Sequence, residues 1–299
     1  MVIALVIATA SAGFAGGSNA YPNGAEGFWM GAVPPPGFYY VNYDLWYTAH
    51  KYTNDGGQQV TTGPLAGFRL NVLANVSRFL YVSKYQILGA NWGVQAFVPV
   101  MDQRITSVAG VSHARGIGDV IVDPFILSWH KPNFHAVVGI DIYLPTGDYK
   151  TGRLANLGTN TFVYEPVAAF TYVTPVKGVT ASIKMMYDFP QKNGKWAHPF
   201  LPLAGALLPG QEFHFDYSID YTINETWRAG LGGYWYKQTT EDELNGAKIP
   251  NAQGRVWSVG PGIEYSKGKV IASLRTQFEV NAKNRPEGVS NWLRLVLVL

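Results

Sequence analysis

His214, Asp216 and Asp220 are the residues whose types and spacing could best support chemistry. All three stand at even-numbered positions, so an extended strand would place their side chains on one face. An imidazole beside carboxylates could serve as the general base of a lipid or ester hydrolase or a protease, with the nucleophile supplied from elsewhere in space. The chain has no G-x-S-x-G nucleophile elbow, so no local motif favours a hydrolase.

The other candidate motifs also favour structural roles. The remaining histidines are dispersed, and none has the i, i+4 spacing of a helical zinc site, so we interpret them as polar interior or interface residues. Three glycine pairs, at 116/118, 230/232 and 260/262, resemble phosphate loops, but each lies in a predicted strand with no helix after it. We therefore expect no catalytic residue, no cofactor and no metal.

The amino-acid composition excludes further classes of function and structure. The net charge is only +3, which gives no electrostatic case for nucleic-acid binding. Cysteine is absent, so there is neither a disulfide framework nor a thiolate metal site. No run of 18 or more apolar residues exists, so any membrane crossing must be made by strands.

The stretch 211–223 shows what positions the polar residues. Its odd positions are apolar or aromatic and its even positions are polar, so the two faces of this strand meet different environments. The same alternation recurs at 39–50, where the apolar face runs from Tyr39 to Tyr47, and at 68–77, where it runs from Phe68 to Val76. It recurs again at 134–143 and 270–281. A soluble sandwich would alternate too, but its polar face would be rich in lysine, whereas only 14% of this chain is charged.

The pattern predicts an all-β fold, a transmembrane antiparallel β-barrel of about 12 strands over residues 38–299. The alternative is aromatic core packing in a soluble protein. Many Tyr and Trp residues suit interfacial girdles, and the last strand, ending at the final residue, suits closure against the first. Short periplasmic turns, expected at 83–85, 131–133, 175–178, 224–225 and 266–268, alternate with long extracellular loops. Strands are expected near 38–51, 65–82, 86–100, 117–130, 134–147, 161–174, 179–189, 211–223, 226–240, 255–266, 269–282 and 289–299.

Residues 1–20 predict a secretory signal peptide, with cleavage after Ala12, Ala15 or Ala20. The usual basic n-region is missing, which indicates a misassigned start or a shortened chain. We therefore expect export through the periplasm to the bacterial outer membrane. The expected partners are the lipid bilayer, lipopolysaccharide, the barrel assembly machinery during biogenesis, and a small hydrophobic or aromatic solute.

The faces opposite the apolar stripes predict a lumen, or transport path, that carries charges of both signs. Its expected members are Asp44, Arg69, Asp119, Asp123, Glu165, Lys184, His214, Asp216, Arg228, Glu264, Arg275 and Arg294. A packed polar plug that only stabilises the barrel is the alternative role for each of them. Since twelve strands lie between filled and open barrels, we expect a narrow or plugged conduit.

Two segments outside the strands predict a gate and a capture site. The Pro/Gly-rich segment 21–37, with Pro34, Pro35 and Pro36 in a row, is expected at or in the periplasmic mouth, because a triproline cannot join a strand ladder. The apolar stretch 196–209 is expected to collect hydrophobic solute through Trp196, Phe200, Leu201 and Leu203. Contact with the outer leaflet or with a neighbouring loop is the alternative.

A set of short landmarks in a fixed order runs along the whole mature chain. They lie at 21–26, 34–39, 116–119, Pro124, 144–149, Asn156, Gly158, Asn160, 210–217, 259–265 and 284–288. In these motifs the chain resembles the outer-membrane family named for the meta-pathway of phenol degradation, whose members are regarded as transport channels for aromatic or hydrophobic compounds. The family has no settled catalytic residues to transfer.

The resemblance and the strand pattern together predict an outer-membrane channel for passive uptake of small hydrophobic or aromatic compounds, and not an enzyme. Two alternatives stay open at this point. One is a barrel-embedded lipid or ester hydrolase, and the other is a structural surface barrel.

Overall fold

The structure is a computed structural model that describes residues 21–299; the predicted signal peptide lies outside them. These residues form seventeen strands and no helix. The strands are β1 Gly37–Tyr52, β2 Arg69–Ile87, β3 Ala90–Ser107, β4 Gly110–Ile117, β5 Ile121–Lys131, β6 Phe134–Tyr143, β7 Val163–Val173, β8 Val179–Pro190, β9 Asn193–Ala197, β10 Ala204–Leu208, β11 Glu212–Thr222, β12 Trp227–Gln238, β13 Glu243–Leu244, β14 Ala247–Lys248, β15 Arg255–Lys267, β16 Val270–Lys283 and β17 Pro286–Val298. Within residues 21–299, no helix is long and apolar enough to cross a membrane.

Twelve antiparallel strands close into a barrel, as the sequence predicts. Their order around the wall is β1, β2, β3, β5, β6, β7, β8, β11, β12, β15, β16 and β17, and β17 pairs with β1 from Val298 opposite Tyr39 onwards. The last strand therefore closes the barrel against the first. Closure leaves no unpaired strand edge in the wall, which is what a strand-built structure needs in lipid.

The connections alternate in length, and we name the two ends of the barrel accordingly. The turn end carries the connections after β2, β5, β7, β11 and β15, and the loop end carries the others. The first turn was predicted at 83–85, which is wrong: β2 runs on to Ile87, and the chain reverses at Leu88 and Gly89, both with positive φ. A bulge between Val82 and Gln86 explains the difference, because it interrupts the alternation without ending the strand.

The loop end holds additional strands that the sequence pattern did not separate. β3 extends beyond the predicted residue 100 and folds back as β4, pairing Ser107 with Gly110. The stretch 196–209, predicted as a loop, instead contributes to a four-stranded sheet of β9, β10, β13 and β14. These strands are two to five residues long, too short for a period-two pattern to stand out.

The predicted faces are right for most of the wall and reversed on β1 and β2. On β11, Asp216 and Asp220 point inward and are almost fully buried, while Ile219 lies outside and is 52% exposed. On β1 and β2 the apolar residues point inward instead: Tyr43 and Val72 are buried, whereas Trp46 and Leu73 are exposed. Alternation shows that two faces differ, but it does not show which one meets the lipid.

The lipid-facing side gives a direct test of the assigned faces. Leu274 on β16 is 58% exposed on the outer wall and lies opposite Ile263 and Leu293 of the neighbouring strands. We expect Leu274→Arg to destabilise the barrel in bilayers by about 2 to 4 kcal/mol if it lies near the midplane, because an arginine there loses its water. Leu274→Met is the matched control and should fold like the wild type. Equal folding yields in lipid vesicles for the two variants would contradict the assignment.

Candidate functional site: the occupied lumen and the outer vestibule

Residues 21–36, the N-terminal segment, lie inside the barrel. Near its start, the Tyr21 hydroxyl donates to Asp216 Oδ2 at 2.8 Å and the Gly24 N–H donates to Asp216 Oδ1 at 2.9 Å. Further along, the Gly31 N–H donates to Thr171 Oγ1 at 2.9 Å. These partners lie on β11 and β7, so the segment is fastened to the inner wall at both ends.

Two glycines make this close approach feasible. A Cβ at Gly31 would lie 2.6 Å from the backbone of Phe170, and one at Gly24 would lie 2.1 Å from Gln277 Oε1. Gly24 also has φ +80°, a conformation that other residues adopt only with strain. The small residues of the segment therefore let the backbone lie against the wall.

Arg275 on β16 holds the start of the segment through its carbonyl groups. Its Nη1 donates to Gly24 O at 2.7 Å and also to Glu26 O, and its Nη2 donates to Ala25 O at 2.6 Å. Charge-assisted hydrogen bonds of this kind are roughly twice as strong as neutral ones. One buried guanidinium thus orders three successive peptide groups.

Glu26 is the acidic centre of the lumen. Its carboxylate lies 3.3 Å from Arg78 Nη1, 3.8 Å from Lys184 Nζ and 3.6 Å from Arg294 Nη1. Two of these cations come from β2 and β17, the strands that flank β1, and the third comes from β8 on the opposite side of the wall. A buried charge is tolerated only when it is paired, so the carboxylate of the segment and the cations of the wall neutralise one another.

A second set of charges extends this network along the inner wall. Glu264 pairs with Arg294 at 2.8 Å and with Arg228 at 3.4 Å, and Arg228 also lies 3.7 Å from Asp220. The Arg228 guanidinium lies over the ring of Trp29, 4.7 Å from its centroid, and so ties this set back to the N-terminal segment.

The three prolines lie where the segment leaves the lumen, just before β1 at the turn end. Pro35 and Pro36 are exposed, and Pro35 O accepts a hydrogen bond from the Tyr39 hydroxyl at 2.7 Å. Whether these prolines move during function stays a prediction.

Above the segment, at the loop end, a cavity of about 440 Å³ forms an outer vestibule. Most of its wall is apolar or aromatic, including Leu45, Tyr47, Tyr52, Leu65, Phe68, Leu154 and Trp196. Ten polar or charged residues interrupt this surface, among them Gln103, Asn156, Glu279 and the two cations Arg153 and Arg285. Tyr21 and Asn23 also line the vestibule, so its inner end is the N-terminal segment. A concave pocket with an apolar and aromatic majority in its wall and polar groups at fixed positions is typical of small-molecule sites.

Glu279 is the carboxylate of the vestibule wall, and two phenol side chains already bind it. The Tyr47 hydroxyl donates to Oε2 at 2.7 Å, the Tyr234 hydroxyl donates to Oε1, and the Gly288 N–H donates to Oε2 at 2.7 Å. Among the described residues that line the vestibule, Glu279 is the only acidic one. Both of its carboxylate oxygens accept hydrogen bonds from the protein itself.

Most of the predicted lumen residues do face the interior. The structure places Asp123, Glu165, Lys184, His214, Asp216, Arg228, Glu264, Arg275 and Arg294 on the inner wall. Asp119 is instead a loop residue, whose carboxylate accepts from the N–H groups of Gly147 and Thr159. A role in transport for any of these residues stays a prediction.

Asp44 and Arg69 are on the wrong side for a lumen role, which corrects the sequence analysis. Asp44 accepts from Asn75 Nδ2 at 2.7 Å on the outside of the barrel, along an open cavity of about 880 Å³ in the outer wall. Arg69 alternates with the buried Leu70 and is exposed. The reason is that the interior beside β1 and β2 is apolar: Tyr21 and Ala25 pack there against Val41 and Val76.

The sequence analysis missed Glu26 and Arg78. Arg78 follows the apolar residues of β2 on the face that was assigned to lipid, so reversing that face would have identified it. Glu26 lies in a segment without periodicity, where no local signal indicates that it enters a barrel.

The predicted capture residues are packed more than the sequence suggested. Trp196 lies against the buried cluster of Leu207, Ile249 and Ala252, and Phe200 packs on the cluster that contains Leu65 and Phe68. Leu201 and Leu203 are half-buried. Contact with a neighbouring loop, the alternative to capture, therefore holds for Trp196 and Phe200, and Trp196 also lines the vestibule.

Asp242 joins two of the loops over the vestibule. Its Oδ1 accepts from the Gly210 N–H at 2.6 Å and from Gln238 Nε2 at 2.7 Å, and its carbonyl accepts from the Ile249 N–H at 2.8 Å. Burial raises the pKa of Asp242 to about 7, and the charge of Glu212 acts in the same direction, while the two donors to Oδ1 oppose the rise.

Comparison with known proteins agrees with this architecture. A family model described as "Putative MetA-pathway of phenol degradation" matches residues 49–295. The chain belongs to this family. No match to a curated protein was found.

Among solved structures, an outer membrane channel from Pseudomonas putida F1 has a TM-score of 0.79 at 16% sequence identity, covering 92% of this chain and 99% of that chain. The β domain of the Bordetella autotransporter BrkA has a TM-score of 0.49 at 9% identity, covering 89% and 100%. A mutant of the TodX monoaromatic hydrocarbon channel has a TM-score of 0.48 at 8% identity, covering 92% of each chain. The first similarity shows a shared fold, and the other two are too weak to support a conclusion.

The fold and its apolar outer wall place the protein in the bacterial outer membrane. In such barrels the short turns face the periplasm and the long loops face outside. We therefore expect the vestibule to be the outer mouth, and the position of the prolines at the periplasmic mouth stays a prediction.

The loop contacts of Asp242 should weaken as the pH rises. A folded-state pKa of about 7 lies above the ordinary value of 3.8, so this group stabilises the folded loops fully below 3.8 and loses that contribution as the pH rises through about 7. We expect faster hydrogen exchange of the 239–254 loop, after correction for intrinsic rates, at pH 8 than at pH 5. Asp242→Asn keeps the acceptor without the charge and should abolish the difference. Persistence of the difference in that variant would contradict the assignment.

Proposed function

We propose that this protein is an outer-membrane channel that passively admits small hydrophobic or aromatic compounds. The observation that carries the proposal is the vestibule: about 440 Å³, open toward the outside, with a mostly apolar and aromatic wall. A cavity of this volume has room for a molecule with one or two rings and would exchange its apolar surface for the vestibule wall.

The family adds support, because its description concerns phenol degradation. The Pseudomonas putida F1 protein that shares the fold is described as an outer membrane channel. For this chain, a phenol or related ring would meet apolar side chains on most sides, with Glu279 and nearby polar groups as the hydrogen-bonding exceptions.

Passage beyond the vestibule requires the N-terminal segment to move. Tyr21 lines the inner end of the vestibule, and the cavity beneath it, beside Glu26 and Arg275, holds only about 10 Å³. That space is about one water-sized probe and cannot admit a ring. We therefore infer that residues 21–36 act as the gate, with Pro34, Pro35 and Pro36 at its periplasmic end.

Trp196 would then support capture directly, because it lines the vestibule. Phe200 would support it by packing behind Leu65 and Phe68, which also line the vestibule. Leu201 and Leu203 would border the entrance. Lipopolysaccharide should surround the loop end, and the barrel assembly machinery should insert the chain. These partners follow from the outer-membrane location and remain our proposal.

Leu154 offers a test of capture that leaves the barrel strands unchanged, because it lies in the 144–162 loop and lines the vestibule. A carboxylate there would have to lose water whenever an aromatic ring binds. We expect Leu154→Asp to lower the initial rate of uptake of radiolabelled phenol by about tenfold, equivalent to about 1.4 kcal/mol, in cells that express the protein.

Leu154→Met is the matched control and should retain wild-type uptake. The phenol recovered after extraction should be chemically unchanged, since a channel does not turn it over. Uptake that is equal in Leu154→Asp and wild type, with both variants folded in the outer membrane, would contradict capture at the vestibule. A modified product that depends on purified protein would indicate an enzyme instead.

A further inference from the structure

Three side chains from neighbouring strands converge on one point of the inner wall, near the loop end. They are Glu165 on β7, Asp188 on β8 and His214 on β11. One potential ligand atom from each lies within 4.8 Å of the other two. The residues are 23 or more positions apart in the sequence, and the pairing of β8 with β7 and with β11 brings them together.

The distances within this group fit a shared ion better than a direct hydrogen bond. His214 Nε2 lies 3.4 Å from Glu165 Oε2 and 3.5 Å from Asp188 Oδ2. Good N–H···O hydrogen bonds span about 2.7 to 3.2 Å. In a tetrahedral site with metal–ligand bonds of about 2.0 to 2.1 Å, two ligand atoms are about 3.3 to 3.4 Å apart.

The group is also buried and incompletely satisfied. Glu165, Asp188 and His214 are each at most 1% exposed as side chains. Apart from these two longer contacts of His214 Nε2, both carboxylate oxygens of Asp188, Oε1 of Glu165 and both ring nitrogens of His214 have no hydrogen-bond partner. Unpaired polar atoms at this depth are costly, so a ligand that satisfies several at once would stabilise the wall.

The charge of the group favours a cation. With the imidazole neutral, as a metal ligand must be, the two carboxylates give the group a charge of −2. Asp141 lies opposite Glu165, and Glu212 lies opposite Asp188, in the neighbouring strand pairs. Lys184 acts on Glu165 from nearby, but its ammonium lies 3.8 Å from Glu26 and is shared with it. A divalent cation would neutralise the two carboxylates.

We propose that Glu165, Asp188 and His214 bind one divalent cation of the Zn²⁺ class. Imidazole nitrogen and carboxylate oxygen are ordinary zinc ligands, and a fourth position is left for water. The Tyr143 hydroxyl donates to Glu165 Oε2 at 3.1 Å and would orient that carboxylate, as outer-shell groups commonly do. The ion would link β7, β8 and β11 beneath the vestibule.

Access to the site is through the vestibule. The Tyr21 ring lies 5.2 Å from the His214 ring and also lines the vestibule, so it separates the site from the outer mouth. The Tyr21 side chain, which donates to Asp216, would have to move for an ion to enter by this path. A protonated His214 shared by the two carboxylates is the competing arrangement, and it predicts no bound metal.

The test uses the folded full chain, stripped with a chelator and titrated with ZnCl₂ against a chromophoric zinc chelator. We expect one Zn²⁺ per chain and a rise in the thermal unfolding midpoint. Asp188→Asn should weaken the affinity at least tenfold, since it removes a charged ligand. If that variant fails to fold, Glu165→Gln measured in the same way should show the same loss.

His135→Gln is the control for adventitious binding. His135 and His130 form a second close pair, with their Nδ1 atoms 3.0 Å apart near the turn end, and could bind zinc at the surface. Zinc affinity should be unchanged in His135→Gln. Absence of zinc binding by the wild type would overturn the proposal. So would zinc binding that survives Asp188→Asn but is lost in His135→Gln.

Discussion

The structure depends on the placement of one carboxylate, that of Glu26, among three cations of the inner wall. Arg78 and Arg294 reach it from the two strands that flank β1, and Lys184 reaches it from the opposite side of the barrel. Without this carboxylate Arg78 and Lys184 would each lose the salt bridge that they make among the described residues, while Arg294 would keep Glu264, and buried charge without a partner is costly. The N-terminal segment is therefore part of the interior and not an appendage to it. Its position inside the barrel follows from charge as much as from shape.

The lumen has two kinds of wall, and the segment matches both. Beside β1 and β2 the interior is apolar, and Tyr21 and Ala25 pack there against Val41, Tyr43 and Val76. Beside β11 and β16 it is polar, and Asp216 and Arg275 bind the backbone of the same segment. This division also explains the vestibule, whose apolar side continues the first wall outward. Under the proposed function, a hydrophobic solute would enter along the apolar half, while the ion network would hold the N-terminal segment from the other half.

How much of this could be predicted depends on whether the signal is local. Strand existence was predictable because alternation is a property of consecutive residues, and each predicted strand overlaps an observed one. The direction of the faces was not fully predictable: Tyr43 and Phe215 look alike in sequence, yet the first packs inside and the second lies on the outer wall, because their surroundings come from distant residues. Glu26 could not be identified, since its three partners are separated from it by 52 to 268 positions and its segment has no periodicity. The group of Glu165, Asp188 and His214 escaped notice for the same reason, because ligand spacing in sequence means little when separate strands supply the ligands.

The central claim is that Glu26 keeps the N-terminal segment in the lumen and thereby keeps the channel closed. Single-channel recording in planar bilayers tests it with Glu26→Gln, which removes the charge at nearly constant size. Removing one partner from a buried ion pair commonly costs about 3 to 5 kcal/mol, enough to release the segment for much of the time. Glu287→Gln is the matched control, because Glu287 pairs with the more exposed Lys51 at 2.8 Å. The account predicts that Glu26→Gln opens more often and conducts several times more than the wild type, while Glu287→Gln behaves like the wild type. Identical conductance and open probability in Glu26→Gln and wild type would contradict it.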